Sequence, residues 1–162
     1  MSLENAAAGR LVIRRPPDFA IALIEPEIPQ NTGNIARLSV ALGVELYLVK
    51  PLGFAIDESA VRRAGLDYWD KVRLTVFENV EVFERLTASR RRVGLDPRGA
   101  IPHHRFAYRA GDILCFGKES TGLDRLPPDS IHIPMREDCR SLNLANSVAI
   151  VAYEAWKRFE EL

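Results

Sequence analysis

The stretch from Ile131 to Trp156 constrains this chain more than any other. It opens with a short apolar run, Ile131–Ile133, and Pro134 stops that run, which indicates the end of a buried strand. A polar loop dense in hydrogen-bonding side chains follows from Met135 to Asn143. From Leu144 onward the sequence has few helix breakers and predicts a long helix.

The helix predicted from Leu144 carries apolar side chains on more than one face. Two stripes at helical spacing run side by side, and further apolar residues widen them: Leu144, Val148, Val151, Ala155 and Phe159; Ala145, Ala149, Ala152 and Trp156; Ile150 and Tyr153. A surface helix of a monomer needs one apolar face only. Two interpretations stay open, a central helix in a small core or a helix buried between its own sheet and a second copy. Because isologous dimers are the commonest assemblies, we expect a homodimer built on this helix and the helix after Asn34.

Length and composition set the broad class of the protein. A chain of 162 residues with 47% hydrophobic content suits one domain with a real core. We expect a flexible leader over residues 1–18, closed by Pro16 and Pro17, and a single domain over 19–162. Acidic and basic residues balance at 22 each, which excludes a global field that attracts nucleic acid or membrane. The 22 basic residues comprise 18 Arg and 4 Lys, and Arg forks match phosphate, although genomic base composition explains the bias equally well.

The cysteine count and the hydropathy of the sequence indicate the cellular compartment of the protein. Cys115 and Cys139 are too few for a disulfide framework or a four-ligand zinc site. Cys115 lies in an apolar run and is expected in the core, whereas Cys139 lies in a polar loop and is expected at the surface. No segment is apolar and long enough to span a bilayer, and no secretory signal opens the chain. We therefore expect a cytoplasmic protein.

Apolar runs alternate with helical patterns along the chain. The predicted strands are Phe19–Ile24, Glu45–Val49, Arg73–Phe77, Arg91–Leu95, Ile113–Phe116 and Ile131–Ile133. The predicted helical segments are Thr32 to a C-cap at Gly43, Ser59–Ala64, Asn79–Ser89, a turn at Asp124–Leu126, and the long helix. This alternation indicates an α/β fold with a largely parallel sheet.

Polar loops follow three of the predicted strands, after Ile24, Phe116 and Ile133. Ligands of open α/β sheets bind at the carboxyl ends of the strands, so we expect the three loops to share one site. The loop at 117–122 lacks the Gly-Lys-Ser/Thr ending of a P-loop and does not have the order of a Gly-x-Gly-x-x-Gly fingerprint. The sequence also contains no Gly-x-Ser-x-Gly elbow. His103 and His104 fit a solvated or capping role, and His132 a structural one.

Three motifs together resemble the SPOUT-class methyltransferases. They are EPEIPQNTGNIAR at residues 25–37, FGKESTGL at 116–123, and the stretch from Ile133 to Trp156 with its SLNLAN and YEAW segments. The run RRAGLDY at 62–68 is also typical of one branch. That branch contains small single-domain proteins related to the bacterial tRNA wobble-nucleotide 2'-O-methyltransferases. The likeness extends over nearly the whole chain, from about residue 20 to 160.

The resemblance implies a fold and a cofactor. It implies an α/β domain of SPOUT type whose largely parallel sheet ends in a C-terminal deep trefoil knot, a topology that no periodicity in the sequence could have indicated. It also implies that S-adenosylmethionine binds in the knot. The cofactor contacts of the family fall here on Leu95, Gly117, Ile133, Met135, Ser141 and Leu142.

The resemblance further implies a reaction and its residues. The chain is expected to be a tRNA 2'-O-ribose methyltransferase that acts on the wobble cytidine or uridine in the anticodon stem-loop, without a metal. The expected catalytic residues are Arg37, Asn31, Glu119, Ser141 and Asn143. We interpret Arg37 as a phosphate-binding and charge-stabilising group, with a salt bridge to Glu119 as its structural alternative, because guanidinium is almost never deprotonated.

Two other functions remain possible from the sequence, ribosomal-RNA methylation and a non-catalytic RNA-binding module of the same fold. Two positions depart from the family pattern. Asp96-Pro97-Arg98-Gly99 stands where Thr/Ser-Lys-Gly is usual, and Thr121 stands where relatives often have Arg. Both departures affect the expected contacts with RNA.

Overall fold

The computed structural model of the chain describes residues 5–6, 10–11, 13, 16–55 and 69–160. Most of the predicted leader, the predicted helix at 59–64 and the run at 62–68 therefore lie outside the described residues. Asn5–Ala6 pairs antiparallel with Arg10–Leu11. Ile13 packs against the core of the domain, and Pro17 is buried. The end of the expected leader thus contacts the domain, and the division at residue 19 stays a prediction.

The described residues form a seven-stranded main sheet in which every neighbouring pair is parallel. The strands are β1 (Phe19–Ile24), β2 (Glu45–Val49), β3 (Leu74–Phe77), β4 (Arg92–Leu95), β5 (Ile101–Pro102), β6 (Asp112–Phe116) and β7 (Asp129–His132). Their spatial order is β3-β2-β1-β6-β4-β7-β5. The helices are α1 (Pro29–Leu42), α2 (Val80–Leu86) and α3 (Leu144–Glu160), with 3-10 turns at Trp69–Lys71 and His103–Arg105. The predicted α/β class with a parallel sheet is confirmed.

The sheet is buried on both faces, and the alternation of side chains along β1 shows how. Phe19, Ile21 and Leu23 face one apolar cluster together with side chains of α1 and α3, whereas Ala20 and Ala22 face a second cluster that includes Phe83 of α2. Because both faces of β1 are buried, its sequence is a continuous apolar run, with large residues on one face and small ones on the other. Each fully buried large side chain contributes about 1.5–3 kcal/mol.

Three predicted helical segments differ from the structure. Helix α2 ends at Leu86 rather than Ser89, and residues 87–89 form a turn. Helix α1 begins at Pro29, with Ile28 as its N-cap, rather than near Thr32. Proline is favoured at the first helical position because its missing N–H would have no partner there anyway. No helix forms at 124–126, where the chain only bends, since Pro127 disfavours helical backbone at the residue before it. The C-cap at Gly43 is confirmed, with a left-handed φ of 71°.

The connection between β4 and β5 passes over another strand. Strand β7 lies between these two strands, and both Leu95 and Ile101 pair with Ile131. The link 96–100 therefore crosses β7 at this level. A Cβ atom on Gly99 would lie 2.2 Å from the carbonyl carbon of Ile131, so only glycine allows the two backbones to pass. Passage of the later strand beneath an earlier link fits the expected knot, which itself stays a prediction.

Candidate functional site

The carboxyl ends of β1, β4, β6 and β7 surround a cleft of about 710 Å³. All three polar loops contribute to its wall, as expected from strand ends that meet at one edge of a parallel sheet. The wall also includes the link after β4 and the first turns of α3. It consists of Ile28, Asn31, Leu95–Arg98, Gly117–Gly122, Ile133, Met135, Arg140–Leu144 and Ser147.

Glu119 joins the loop after β6 to the loop after β1. Its carboxylate accepts hydrogen bonds from the backbone N–H of Glu27 at 2.8 Å and of Ile28 at 3.2 Å, and from Nδ2 of Asn31 at 3.0 Å. The two backbone donors lie just before α1, where N–H groups lack helical partners and the helix dipole favours negative charge. Glu119 therefore serves as a cap for α1 supplied from a distant loop.

Asn31 extends this chain of hydrogen bonds to the third loop. Its Oδ1 accepts a hydrogen bond from Nδ2 of Asn143 at 2.9 Å, and the Asn31 side chain is buried. Oδ1 of Asn143 in turn accepts the backbone N–H groups of Ala145 at 2.9 Å and Asn146 at 3.3 Å. Asn143 is thus the N-cap of α3. The series Glu119, Asn31, Asn143 fixes all three loops relative to one another.

In a second contact between these two loops, the loop after β6 supplies the donors and the loop after β1 supplies the carboxylate. The backbone N–H of Ser120 donates to Glu27 at 2.9 Å, and the Ser120 hydroxyl donates to the other oxygen at 2.8 Å. These hydrogen bonds lower the pKa of Glu27 below its usual value. Lys118 adds ion pairs with Glu25 at 2.8 Å and Asp124 at 3.1 Å. The loop after β6 is therefore anchored by several separate polar contacts.

Two glycines shape the loop after β6. Lys118 and Gly122 form an antiparallel bridge, so the loop folds back on itself. A Cβ on Gly117 would lie 2.1 Å from the carbonyl carbon of Gly122, and Gly122 has a left-handed φ of 75°. The two glycines of the FGKESTGL motif are thus required by this turn, which presents Glu119 and Ser120 toward α1.

The link after β4 carries a buried carboxylate in the cleft wall. Asp96 pairs with Arg98, with Nε of Arg98 2.7 Å from Oδ1 of Asp96. Burial alone would raise the pKa of Asp96, but hydrogen bonds from the Arg98 side chain and backbone and from the Leu123 N–H outweigh it, so the pKa lies below its usual value. Asp96 is therefore ionised at neutral pH.

The described residues contain no group of three or more His, Cys, Asp or Glu side chains able to hold a metal ion. Nor does any helix of the described part have the length and apolarity needed to cross a membrane.

Comparison with known proteins places these loops in a family. The model of the SpoU rRNA methylase family matches residues 18–153. The chain belongs to this family. A tRNA (cytidine(34)-2'-O)-methyltransferase of Methylovorus glucosotrophus is 43% identical over 148 residues, which cover 88% of this chain and 96% of the relative. The protein of the same name from Escherichia coli K12 is 43% identical over 144 residues, covering 85% and 92%.

Solved structures agree with this membership. A structure from work on the 2-OH methylation of C/U34 on tRNA superposes with a TM-score of 0.83 at 39% identity, covering 89% of this chain and 97% of the other. The SpoU methyltransferase AviRb of Streptomyces viridochromogenes, in complex with its cofactor AdoMet, gives 0.78 at 26% identity, covering 93% and 64%. The SPOUT-type fold expected from the motifs is therefore shown.

Nine of the ten site residues expected from the family resemblance line the cleft. They are Asn31, Leu95, Gly117, Glu119, Ile133, Met135, Ser141, Leu142 and Asn143. Arg37 is described but does not belong to the cleft wall; it is exposed on α1, like Asn34. The spacing of α1 places Arg37 on the side of Asn34 rather than of Ile35, as observed, and its approach to the three loops stays a prediction.

The structure adds cleft residues that the resemblance to the SPOUT-class methyltransferases did not indicate. The sequence marks Asp96 and Arg98 only as a departure from the family pattern, although opposite charges two residues apart in a loop can pair. Ile28 is 42% exposed at the cleft, and Arg140 is also exposed there. Hydropathy favours burial for Ile28, so no sequence signal indicated its place.

The two cysteines lie where the sequence predicts them. Cys115 is buried in β6, and burial raises the pKa of its thiol to about 12. Cys139 is exposed in the loop after β7. His132 is the last residue of β7, and its Nδ1 lies 2.9 Å from the carbonyl oxygen of Gly99, which supports the structural role expected for it.

Proposed function

We propose that this protein is an S-adenosylmethionine-dependent tRNA 2'-O-ribose methyltransferase that modifies the wobble nucleotide, cytidine or uridine 34. The observation that carries the proposal is the joining of three family loops into one cleft by Glu119, Asn31 and Asn143. Relatives named as tRNA (cytidine(34)-2'-O)-methyltransferases, aligned over nearly their whole length, support this substrate. A cytoplasmic location follows from the substrate.

The cleft fits the proposed cofactor. Its volume of about 710 Å³ is within the usual range for small-molecule sites, roughly 300–1,000 Å³. Leu95, Ile133 and Leu142 would give S-adenosylmethionine apolar contacts, and the loop after β6 would give it polar ones. When bound, S-adenosylmethionine supplies a methyl group already activated on a sulfonium sulfur, so the protein needs to position and polarise rather than activate the donor.

The remaining task falls to side chains that act on the ribose. A ribose 2'-hydroxyl is a poor nucleophile until its proton is removed or strongly hydrogen-bonded. Arg37 would bind the neighbouring phosphate and stabilise negative charge that develops on the 2'-oxygen. Asn31 would orient the ribose or Arg37, and Ser141 and Asn143 would fix the loop against the nucleotide. Glu119 would keep Asn31 in place.

A homodimer built on α3 and α1 completes the proposal. Helix α3 buries Val148, Val151, Ala152 and Ala155 against the sheet, yet leaves Ile150 at 39% and Tyr153 at 46% exposure. Tyr153 packs edge-on against Trp156, with ring centroids 5.9 Å apart. This leaves an exposed apolar surface on α3, a helix that also packs against α1. A second copy related by a two-fold axis would cover it.

Sedimentation at micromolar concentration tests the dimer. We expect twice the chain mass of 18.2 kDa for the wild type and a shift toward the monomer for Tyr153→Asp. Asn146→Asp adds the same charge at another exposed position of α3 and serves as a control for charge alone. A wild type that stays monomeric contradicts the proposal.

Methyl transfer tests the enzymatic function. Purified protein is incubated with labelled S-adenosylmethionine and RNA from a strain that lacks the gene, and the label is mapped to the nucleotide. We expect label on the 2'-oxygen of nucleotide 34 of tRNA. The family description names rRNA, so ribosomal RNA is the second candidate. Label in ribosomal RNA alone would replace the tRNA assignment, and no label in either RNA would favour the non-catalytic module.

A further inference from the structure

The pair Asp96 and Arg98 lies in the cleft wall and has no part in the roles assigned above. We propose that these two residues are a positioning pair, which presupposes the cofactor site of the proposed function. The pair holds the link after β4 against the loop after β6 and so sets the width of the cofactor cleft. It acts through the shape of the wall rather than by touching substrate.

The carboxylate of Asp96 accepts hydrogen bonds from its own link and from the loop after β6. Oδ1 accepts the backbone N–H of Arg98 at 3.0 Å and its Nε at 2.7 Å. Oδ2 accepts Nη2 of Arg98 at 2.9 Å and the backbone N–H of Leu123 at 3.2 Å. The Asp96 side chain is only 2% exposed. A carboxylate buried to this extent persists only when both oxygens are paired, so its geometry is fixed by Arg98 and Leu123.

Arg98 completes the contact between the two loops. Its Nη2 also donates to the carbonyl oxygen of Leu123, so the pair satisfies both backbone groups of that buried residue. The neighbouring Gly122 is in contact as well, because a Cβ there would lie 2.6 Å from Oδ2 of Asp96. The carboxylate therefore packs directly on the glycine that turns the loop after β6.

The pair is also placed to affect the third cleft segment. Arg98 directly precedes Gly99, whose backbone packs on Ile131 where the link crosses β7. Beyond Ile131 the chain enters the cleft through Ile133 and Met135. A shift of Arg98 would therefore move the link, the loop after β6 and the exit of β7 together. Those three segments form the cofactor side of the cleft.

Substitution should weaken cofactor binding while leaving RNA recognition unchanged. Arg98→Ala should raise the Kd of S-adenosylmethionine about tenfold or more, with the KM for tRNA within about twofold of wild type. Arg98→Lys should not rescue binding, because an ammonium cannot span the carboxylate and the Leu123 carbonyl as a planar fork does. Asp96→Asn should act similarly, and the double variant should be no worse than Arg98→Ala, since the two residues act as one unit.

Calorimetry of S-adenosylmethionine and S-adenosylhomocysteine binding to the free protein measures the changes in Kd without turnover, and steady-state methyl transfer gives the KM for tRNA. Arg125→Ala is the matched control: Arg125 is exposed and pairs with Glu84 at 2.8 Å, outside the cleft wall, so its loss should leave binding unchanged. Thermal melts confirm that each variant is folded. If Asp96→Asn does not fold, the two Arg98 variants decide the question, because Arg98 is 59% exposed.

Two results would overturn the positioning pair. One is an Arg98→Ala variant that binds both ligands within about twofold of wild type. The other is loss of binding in Arg98→Ala together with rescue by Arg98→Lys or with normal binding in Asp96→Asn, which would mean that Arg98 contacts the ligand directly. Failure of the wild type to bind either ligand would instead refute the proposed function.

Discussion

Asn143→Ala should destabilise the protein by about 2–3 kcal/mol. Loss of the N-cap of α3, which accepts from Ala145 and Asn146, accounts for about 1 kcal/mol. The remainder comes from the buried Asn31, whose Oδ1 loses its 2.9 Å donor. An unpaired buried acceptor costs about 1–3 kcal/mol, and water entering the vacated space keeps the penalty near the lower end. The corresponding fall in Tm is roughly 4–12 °C for a chain of this size.

A second substitution separates the two contributions. Asn143→Ser keeps a capping oxygen but is too short to reach Asn31, so it should cost only the Asn31 share, about 1–2 kcal/mol. Urea denaturation followed by circular dichroism gives both values, at one fixed protein concentration because dimer formation would couple to unfolding. Equal stability of Asn143→Ala and Asn143→Ser would mean that the N-cap of α3 does not contribute to stability. If Asn143→Ala lowers the free energy of unfolding by less than about 0.5 kcal/mol, the hydrogen bonds that join Glu119, Asn31 and Asn143 do not stabilise the protein as argued.

Three further predictions concern other sites. Arg37→Ala should reduce the rate of methyl transfer about a hundredfold or more, which corresponds to an activation cost of at least about 2.7 kcal/mol, and it should leave the Kd of the cofactor within a few-fold of wild type. Retention of more than a third of wild-type turnover at saturating tRNA would mean that the catalytic centre lies elsewhere. Burial and a hydrogen bond to Glu45 raise the pKa of Tyr47 to about 12. Because tyrosine in the unfolded chain ionises near pH 10, the unfolded state loses this proton first, and the stability of the protein should fall between about pH 10 and 12. Denaturant titration should show a smaller fall in Tyr47→Phe. A thiol reagent should modify Cys139 alone in the native protein and Cys115 only after unfolding, and two fast-reacting thiols in the native state would contradict the burial of β6.

Much of the sheet was predictable because its strands are apolar runs bounded by polar loops. Phe19–Ile24 and Glu45–Val49 were predicted with their observed limits, and helix α3 begins at Leu144 as expected. The meeting of the three loops followed from parallel topology alone. The strand β5 was missed because two residues that include Pro102 give no periodic signal.

The finer organisation of the site depends on geometry that no local pattern records. The contact of Glu119 with the N–H groups before α1 joins positions more than 90 residues apart. The hydrogen bond from the Leu123 N–H to Asp96 likewise depends on how two loops turn. From the sequence alone, the departure at Asp96 therefore indicates the loss of an RNA contact, and the contact between the two loops is not predictable. The place of Arg37 relative to the cleft depends on side-chain direction, which sequence spacing leaves open.

The insertion of β7 between β4 and β5 bears on when the protein becomes competent during its synthesis. Among the described strands, β5 has β7 as its only partner, and the link 96–100 packs on a strand made about thirty residues later. A nascent chain that has not yet reached residue 129 therefore lacks the partner that closes this part of the sheet, and it also lacks Ile133, Met135 and Asn143. Translation products that end before residue 129 would therefore lack part of the cofactor cleft and could not compete with the complete cleft for the cofactor.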